Sequence, residues 1–500
     1  MADRSIEEFK KKTYDLLVIG GGINGAAIAH LAGRQGLVTA LLEKGDFSSG
    51  TSSRSTKLIH GGIRYLENLE FDLVSESLYE RYLQLEAAPH LVRPLEFVIP
   101  VYRGDARPLW MMRLGVFLYD LLAGSKKIGT HRKLSPQEVL ELEPGLKREG
   151  LTGGVTYFDA QMDDARLCLE NVLSAREHGA DVANYVKVTS YLKENGKVVG
   201  VKARDVLSGQ TFEVRAKKVI CTVGPWTNEL IRWDHPQAKK RVRTTKGIHL
   251  VYEGRISKKA LLVTSKKDNR VFFIIPWMGN SLIGTTDTNY IGDPDKVAAD
   301  REDIDYLVTE AKRFFPGWEF QKEKVVTVFA GLRPLIRRGG SPTKVSRKHL
   351  FYETTSGLVF VVGGKYTTYR KVAEDCLKKI CPGYHKTDFT LYGSGVFKES
   401  CADVSQKQGL DEEIIQSLRD RYGIRSEDIL KLAGGDSALK KKVLERFPVI
   451  LAEIVYGVKY EFARTAEDIV SRRLSFSYQK LSDAEKEILG RNIEQVLEQP

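Results

Sequence analysis

Five hundred residues, 42% apolar and 28% charged, are enough for two or three domains with substantial cores and exclude a disordered chain. A net charge of +12 calls for an anionic partner at some surface, whether substrate, lipid or nucleic acid, and charge alone does not choose among them. The five cysteines, Cys168, Cys221, Cys376, Cys381 and Cys401, form no CxxC pair and read as reduced core thiols rather than metal ligands.

The first 13 residues are too charged for a signal peptide, and no apolar run reaches the ~18 residues of a spanning helix, so a cytoplasmic chain is expected. Residues 15–19 form a short branched apolar run that predicts a strand. Gly20-x-Gly22-x-x-Gly25 follows at once, and residues 26–31 read as a small-residue helix. A second strand, residues 37–42, ends in Glu43, 18 positions beyond the third glycine. In this order the parts make a dinucleotide-binding unit. The glycines permit the turn, the approach of a pyrophosphate and close packing of helix on strand, and the acid accepts hydrogen bonds from a ribose.

The hydroxyl-rich stretch that follows closes on His60-Gly-Gly-x-Arg64-Tyr65, a group of ionisable side chains beside backbone that another molecule can approach closely. Residues 66–92 predict an amphipathic helix, and Pro94 and Pro100 bracket a strand. Residues 108–124 are the most apolar segment. As a helix they place Arg113, Asp120 and Lys127 on one polar stripe, with Leu109, Trp110, Met112, Val116, Phe117, Leu121 and Leu122 across a wide apolar face. Such a helix suits shallow burial in one leaflet, with Arg103, Arg107, Lys126 and Lys127 meeting anionic lipid; the competing reading is a core helix.

A strand from residue 153, a helix to about 178 and a strand over 182–188 come next, the last a wall for an adenine. Residues 197–214 read as a hairpin turning at Ser208-Gly209, and 218–224 as a strand ending in TVGPW. Further strands within 226–330 indicate a second, sheet-based domain interrupting the first. Residues 358–364 form a strand, 365–379 a helix, and helical patterns dominate from about 390.

DLLVIGGGINGAAIA, SSRSTKLIHGGIRYL, MDDARL, TVGPW, IPWMGNSLIGTTDT, GLRPL, GGKYTTYRK and EFARTAEDIVSRR run through nearly the whole chain. With these stretches it resembles the FAD-dependent, membrane-associated glycerol-3-phosphate dehydrogenases. The resemblance implies an α/β fold: a Rossmann-like FAD-binding domain of the glutathione-reductase type, amino-acid-oxidase-like, with an inserted β-sheet substrate domain and an all-helical C-terminal domain. The expected divisions are 1–75, 150–225 and 331–388 for the FAD domain, 76–149 and 226–330 for the substrate domain, and 389–500 for the helical one. It further implies FAD as cofactor and oxidation of sn-glycerol 3-phosphate to dihydroxyacetone phosphate. The electrons pass to membrane quinone in a homo-oligomer, a dimer, bound peripherally to the inner face of the cytoplasmic membrane. Mitochondrial relatives add a calcium-binding extension, and nothing after residue 475 resembles one. The related oxidases carry an insertion before the C-terminal domain for which there is no obvious room.

The FAD contacts this implies are Gly20, Gly22, Ile23, Asn24, Gly25, Glu43, Ser52, Ser53, Leu58, Gly62, Val188, Gly224, Gly364 and Lys365. A polyol phosphate needs a cationic clamp, and Arg64, Arg333 and Arg347 fall in the family's substrate-site motifs with Tyr65 and Thr368. His60 and His249 are both candidates to take the proton of the C2 hydroxyl, and the residues do not rank them. Lys365 and the helix start beside it are expected near the negative charge that a flavin gains on reduction. No second GxGxxG is present, which argues against NAD(P)H as reductant. Two other readings stay open: an amine-oxidising flavoenzyme whose arginines hold a carboxylate, and a basic flavoprotein that binds nucleic acid. Against the latter, lysines and arginines are spread along the chain among many acids.

Overall fold

The structure, a computed structural model, describes residue 4 and residues 6–337 and 349–498. Two sheets organise it. In the first, the strand Thr13–Ile19 runs parallel to Thr39–Leu42 on one side and to Thr211–Cys221 on the other. Asp181–Ala183 extends one edge, and Val359–Gly363 with antiparallel His349–Glu353 extends the other. The central strands are buried on both faces, which explains their unbroken apolar runs. The helix Ile23–Arg34 packs on this sheet together with Asp164–Glu177 and Tyr369–Ile380. A Cβ on Gly25 would lie 1.9 Å from the Gly20 carbonyl oxygen, so only glycine lets the helix start sit on the turn.

The second sheet centres on Val242–Tyr252, antiparallel to Val325–Ile336 and to Asn280–Gly284. It continues through Val271–Trp277, Ala260–Thr264 and Val92–Tyr102 to Leu151–Met162 and Leu58–Ile59. Leu58–Ile59 and Leu151–Met162 fall in stretches expected to belong with the nucleotide unit, yet they run in this sheet. Val325–Ile336 lies across the division drawn at 331. Apolar alternation marks a strand but does not name its partner. The strand expected over 182–188 is two, Asp181–Ala183 and Val186–Glu194, broken at Tyr185 with φ +57°. The helix expected over 66–92 is Phe71–Ala87, preceded by a 3₁₀ turn at Ile63–Asn68.

The apolar segment is the helix Leu109–Ala123, and here the expectation needs correction. Its apolar residues divide between two opposite faces. Met112, Val116, Tyr119 and Ala123 point into the core, while Trp110, Leu114, Phe117 and Leu121 are exposed, Trp110 at 69% and Leu121 at 64%. Arg113 and Asp120 lie half-buried, Asp120 held by His131 Nδ1 at 2.7 Å, and Lys127 lies beyond the helix end. The helix packs on Phe71–Ala87 and Leu151–Met162 from one side, so that contact, rather than the polar residues, sets which face is inward. Among the described residues, no helix is long and apolar enough to cross a membrane.

The C-terminal region, from Cys401–Gln408 to Asp483–Leu497, is helical. Buried charge ties it to the first sheet's loops. Asp46 accepts from Arg472 Nε at 2.6 Å and from Arg473 Nη1 and Nη2 at 2.8 and 2.9 Å, and Arg166 pairs with Glu461 through two bonds of 2.8 Å. Burial works against the charge on Asp46, but the two guanidiniums hold its carboxyl below the usual carboxylate range.

His30 on the helix Ile23–Arg34 packs between His178 and Phe389, with ring centroids 5.5 Å away on each side. Burial first, then the charges of His178 and Arg34, push its pKa down to about 3 from 6.5. Below pH 6.5 the unfolded chain gains a proton here that the folded protein refuses until about pH 3. The resulting loss of stability is about 1.4 kcal/mol per pH unit in that window. His30→Phe should therefore lose stability less steeply on acidification, read as melting temperature against pH; parallel slopes for the two proteins would refute it.

Candidate active site

A cavity of ≈ 670 Å³ opens where the carboxyl ends of the first sheet's parallel strands face the second sheet. Gly20, Gly22, Ile23 and Asn24 line it at the turn, Glu43, Lys44 and Val188 at one end, and His60, Tyr65, His249, Arg333 and Lys365 at the other. The turn is built as its sequence demands. Ser52 Oγ accepts from Ile23 N at 2.9 Å, and Glu43 accepts from Gly21 N at 2.7 Å and Gly45 N at 2.9 Å. Burial raises the Glu43 carboxyl, and the two N–H donors oppose that.

The far end is floored by two neighbouring strands of the second sheet. Gly247 pairs with Gly331, Thr245 with Arg333 and His249 with Phe329, so alternate residues bring Gly247, His249, Phe329, Gly331 and Arg333 to one face. Arg333 donates through Nη1 to the Thr286 carbonyl at 3.1 Å and to Asp287 at 3.2 Å, and through Nη2 to Thr285 Oγ1 at 2.9 Å. A Cβ on Gly247 would come within 2.2 Å of that guanidinium, so the glycine makes its room. His249 is buried, stacked on Phe329 at 5.0 Å and 16°. Its Nε2 shares a 2.9 Å hydrogen bond with Thr56 Oγ1, and its Nδ1 is buried without a partner among the described residues. Burial first, then the charges of Arg333 and Lys57, hold the imidazole well below its ordinary pKa, so it is neutral near pH 7.

Lys365 donates to Ser77 Oγ at 3.1 Å and sits 3.9 Å over the Tyr65 ring. Gly364 precedes it with φ +89°, and the helix Tyr369–Ile380 begins just beyond. His60 is half-buried, its backbone N–H donating to Thr367 Oγ1 at 3.1 Å and its carbonyl accepting from the same hydroxyl at 3.2 Å.

Of the residues expected here, Ser52, Leu58 and Gly224 also line the cavity. Gly25 packs beneath the turn, while Ser53, Gly62 and Thr368 stand behind the wall. Thr367 is the threonine that reaches the cavity, one position before the residue expected. Arg64 is exposed and stands outside the cavity wall, because the 3₁₀ turn Ile63–Asn68 turns it away while burying Tyr65. Arg347 lies outside the described residues. Thr56, Trp226 and Asp295 were not expected; Asp295 accepts from Lys44 at 2.6 Å and from Trp226 Nε1 at 3.1 Å across the mouth. Thr56 had a signal in its place in the hydroxyl-rich run before His60, and Trp226 in closing the TVGPW motif; Asp295 had none.

The residues fit FAD. The turn and Glu43 form a dinucleotide cradle, and Asn24 contributes a buried Oδ1 with no partner among the described residues to the wall beside it. Among the described residues no group of side chains could hold a metal ion.

Fold and cavity together define a flavin-dependent oxidoreductase. Residues 15–370 match the family described as FAD dependent oxidoreductase, and 386–495 match the C-terminal domain of alpha-glycerophosphate oxidase. Within that class the chain belongs to the glycerol-3-phosphate dehydrogenase family, as its relatives show. It is 40% identical to the glycerol-3-phosphate dehydrogenase of Synechocystis sp., over 95% of this chain and 91% of that one. It is 35% identical to the aerobic glycerol-3-phosphate dehydrogenase of Staphylococcus aureus, over 95% and 89%. The solved glycerol-3-phosphate dehydrogenase of Bacillus halodurans, complexed with FAD, superposes with a TM-score of 0.82 at 32% identity, covering 99% of this chain and 93% of that one.

Proposed function

We propose that the protein oxidises sn-glycerol 3-phosphate to dihydroxyacetone phosphate with FAD and delivers the electrons to a quinone in the membrane. The observation that carries this reading is the pairing of a neutral, buried His249 with the Arg333 guanidinium on one floor of the flavin cavity. Oxidising a secondary alcohol removes a hydride from C2 and a proton from its hydroxyl, and bound FAD supplies the acceptor for the hydride. The rest is the work of this chain. The uncharged His249 imidazole takes the proton, and Arg333 holds the phosphate, whose charge favours the imidazolium that forms. Lys365 and the helix start next to it supply positive charge at the same end of the cavity. His60 lines the same end of the cavity with its backbone held to Thr367, and it stands beside His249 as the second candidate to take the proton.

The test of the reaction class is anaerobic reduction. Glycerol 3-phosphate should bleach the flavin absorbance while NADH and amino acids do not; bleaching by NADH or by an amino acid instead would refute the reading.

For the membrane, the exposed residues Trp110, Leu114, Phe117 and Leu121 support docking of the helix Leu109–Ala123 in one leaflet. Arg103 and Lys127, both exposed, flank it. An exposed apolar face of this kind supports peripheral attachment at the membrane's inner face. Burying a large apolar side chain contributes about 1.5–3 kcal/mol, so replacing both Trp110 and Phe117 by Ser should weaken vesicle binding by well over tenfold. Quinone reduction should fall with it while activity with a soluble dye and thermal stability persist. Loss of all four together would show that the face is structural.

A further inference from the structure

We infer that Lys44, Trp226 and Asp295 form a clasp that closes the cavity beside Glu43 and sets the rate at which FAD leaves. The second sheet thereby takes part in retaining a cofactor whose cradle is built on the first. The inference rests on FAD in the cavity and is independent of which substrate reduces it.

The three residues come from distant parts of the chain and from both sheets. Lys44 stands just beyond the strand Thr39–Leu42, and Trp226 ends the short turn Gly224–Trp226 that follows Thr211–Cys221, so both belong to loops of the first sheet. Asp295 lies beyond Thr288–Tyr290, an edge strand of the second sheet paired with Val242–Tyr252. One oxygen of Asp295 takes both donors, Lys44 Nζ at 2.6 Å and Trp226 Nε1 at 3.1 Å. The ammonium also stands 4.1 Å over the indole ring. The contacts close a triangle in which each side chain restrains the other two, so the cost of ordering them is shared as it is not in an isolated surface pair.

The segments that carry the triangle are themselves tied down. Thr244 Oγ1 donates to the Tyr290 carbonyl at 2.6 Å, which holds the edge strand to its sheet. Tyr290 Oη donates to the Asp293 carbonyl at 2.8 Å, and Asp293 Oδ1 accepts from Asp295 N at 3.0 Å, which fixes the turn that presents the carboxylate. On the other side the loop after Glu43 lies against the indole, where a Cβ on Gly50 would come 3.5 Å from the ring. All three residues line the cavity, with Gly45, Gly50 and Pro294 around them. The two walls of the mouth therefore meet through the triangle, and a dinucleotide lying along Glu43 leaves when it opens. The Lys44 and Asp295 side chains are 37% and 58% exposed, so salt screens the attraction between them.

The test follows free flavin by its fluorescence after FAD-loaded enzyme is diluted into flavin-free buffer. Asp295→Lys and Lys44→Asp each set like charges against one another. Each should release FAD about three- to tenfold faster than wild type, the loss that an exposed ion pair and a hydrogen bond to a carboxylate together carry. The double variant Lys44→Asp with Asp295→Lys restores opposite charges and should return most of the way to the wild-type rate, a non-additivity that independent sites do not show. Raising the ionic strength should speed release from wild type and have much less effect on Asp295→Asn, which keeps the size of the side chain and loses its charge. Release at the wild-type rate from both single reversals would overturn the clasp, and so would a double variant that loses FAD as fast as the singles. Should a reversed variant fail to fold, Asp295→Asn decides alone: a release rate and salt dependence equal to those of wild type would overturn the inference.

Discussion

Replacing Asp46 by Ala is expected to cost on the order of 3 to 5 kcal/mol of stability, the loss measured when one partner of a buried ion pair is removed. Asp46 is 2% exposed and is the acceptor for both Arg472 and Arg473, so its removal takes a buried counter-charge from both guanidiniums and leaves Arg472 to Asp468 and Arg473 to the Glu461 carbonyl. It also pins the loop after Glu43, whose Lys44, Gly45 and Ser48 line the cavity. Thermal release of FAD, followed by flavin fluorescence, should therefore come at a lower temperature together with loss of helical signal. An unchanged melting temperature would show that the arginines find other acceptors and that the network contributes little.

Arg333→Ala is expected to retain FAD and fold yet lose about 2 to 3 kcal/mol of transition-state binding, one to two orders of magnitude in kcat/KM for glycerol 3-phosphate. The argument is geometric. Three bonds to the segment Thr285, Thr286 and Asp287 hold the guanidinium in place, so the cation is already ordered before substrate arrives. Arg333→Lys should recover only part of the loss, because an ammonium cannot keep the same set of bonds and present a second donor to a phosphate. Steady-state kinetics beside a flavin count decides it. Equal kinetics in wild type and Arg333→Ala would remove Arg333 from the phosphate contact.

The sequence made the nucleotide turn legible because its spacing is dictated by local geometry: Gly25 has to be glycine where a Cβ would meet the Gly20 carbonyl, and Glu43 ends a strand beside it. Arg333 and His249 were legible as candidates but not as neighbours, since their meeting depends on the pairing of Val242–Tyr252 with Val325–Ile336, some eighty residues apart. The same dependence hid the partners of Leu58–Ile59 and Leu151–Met162. Choosing between His60 and His249 calls for burial and hydrogen-bond partners, which no residue pattern supplies. The helix Leu109–Ala123 could be read as apolar, but a composition apolar on both sides cannot say which side meets the core; Tyr119, with its hydroxyl on Gly61 N at 2.8 Å, settles that through a contact 58 residues away. Thr56 was passed over as one hydroxyl in a run of them.

The ion pairs that join Asp46 to Arg472 and Arg473 carry a consequence for how the chain is made. These partners are 426 and 427 positions apart. On a ribosome the loop that flanks the flavin cavity emerges long before the groups that neutralise its buried carboxylate, which follow 426 and 427 residues later. The ion pairs around Asp46 therefore form only after Arg472 and Arg473 have emerged. Closure of so distant a contact comes late and leaves apolar surface open meanwhile. Nascent protein should thus need a chaperone's shelter until those arginines emerge, and a chain cut short before Arg472 should be cleared by proteolysis rather than accumulate as a smaller flavoprotein.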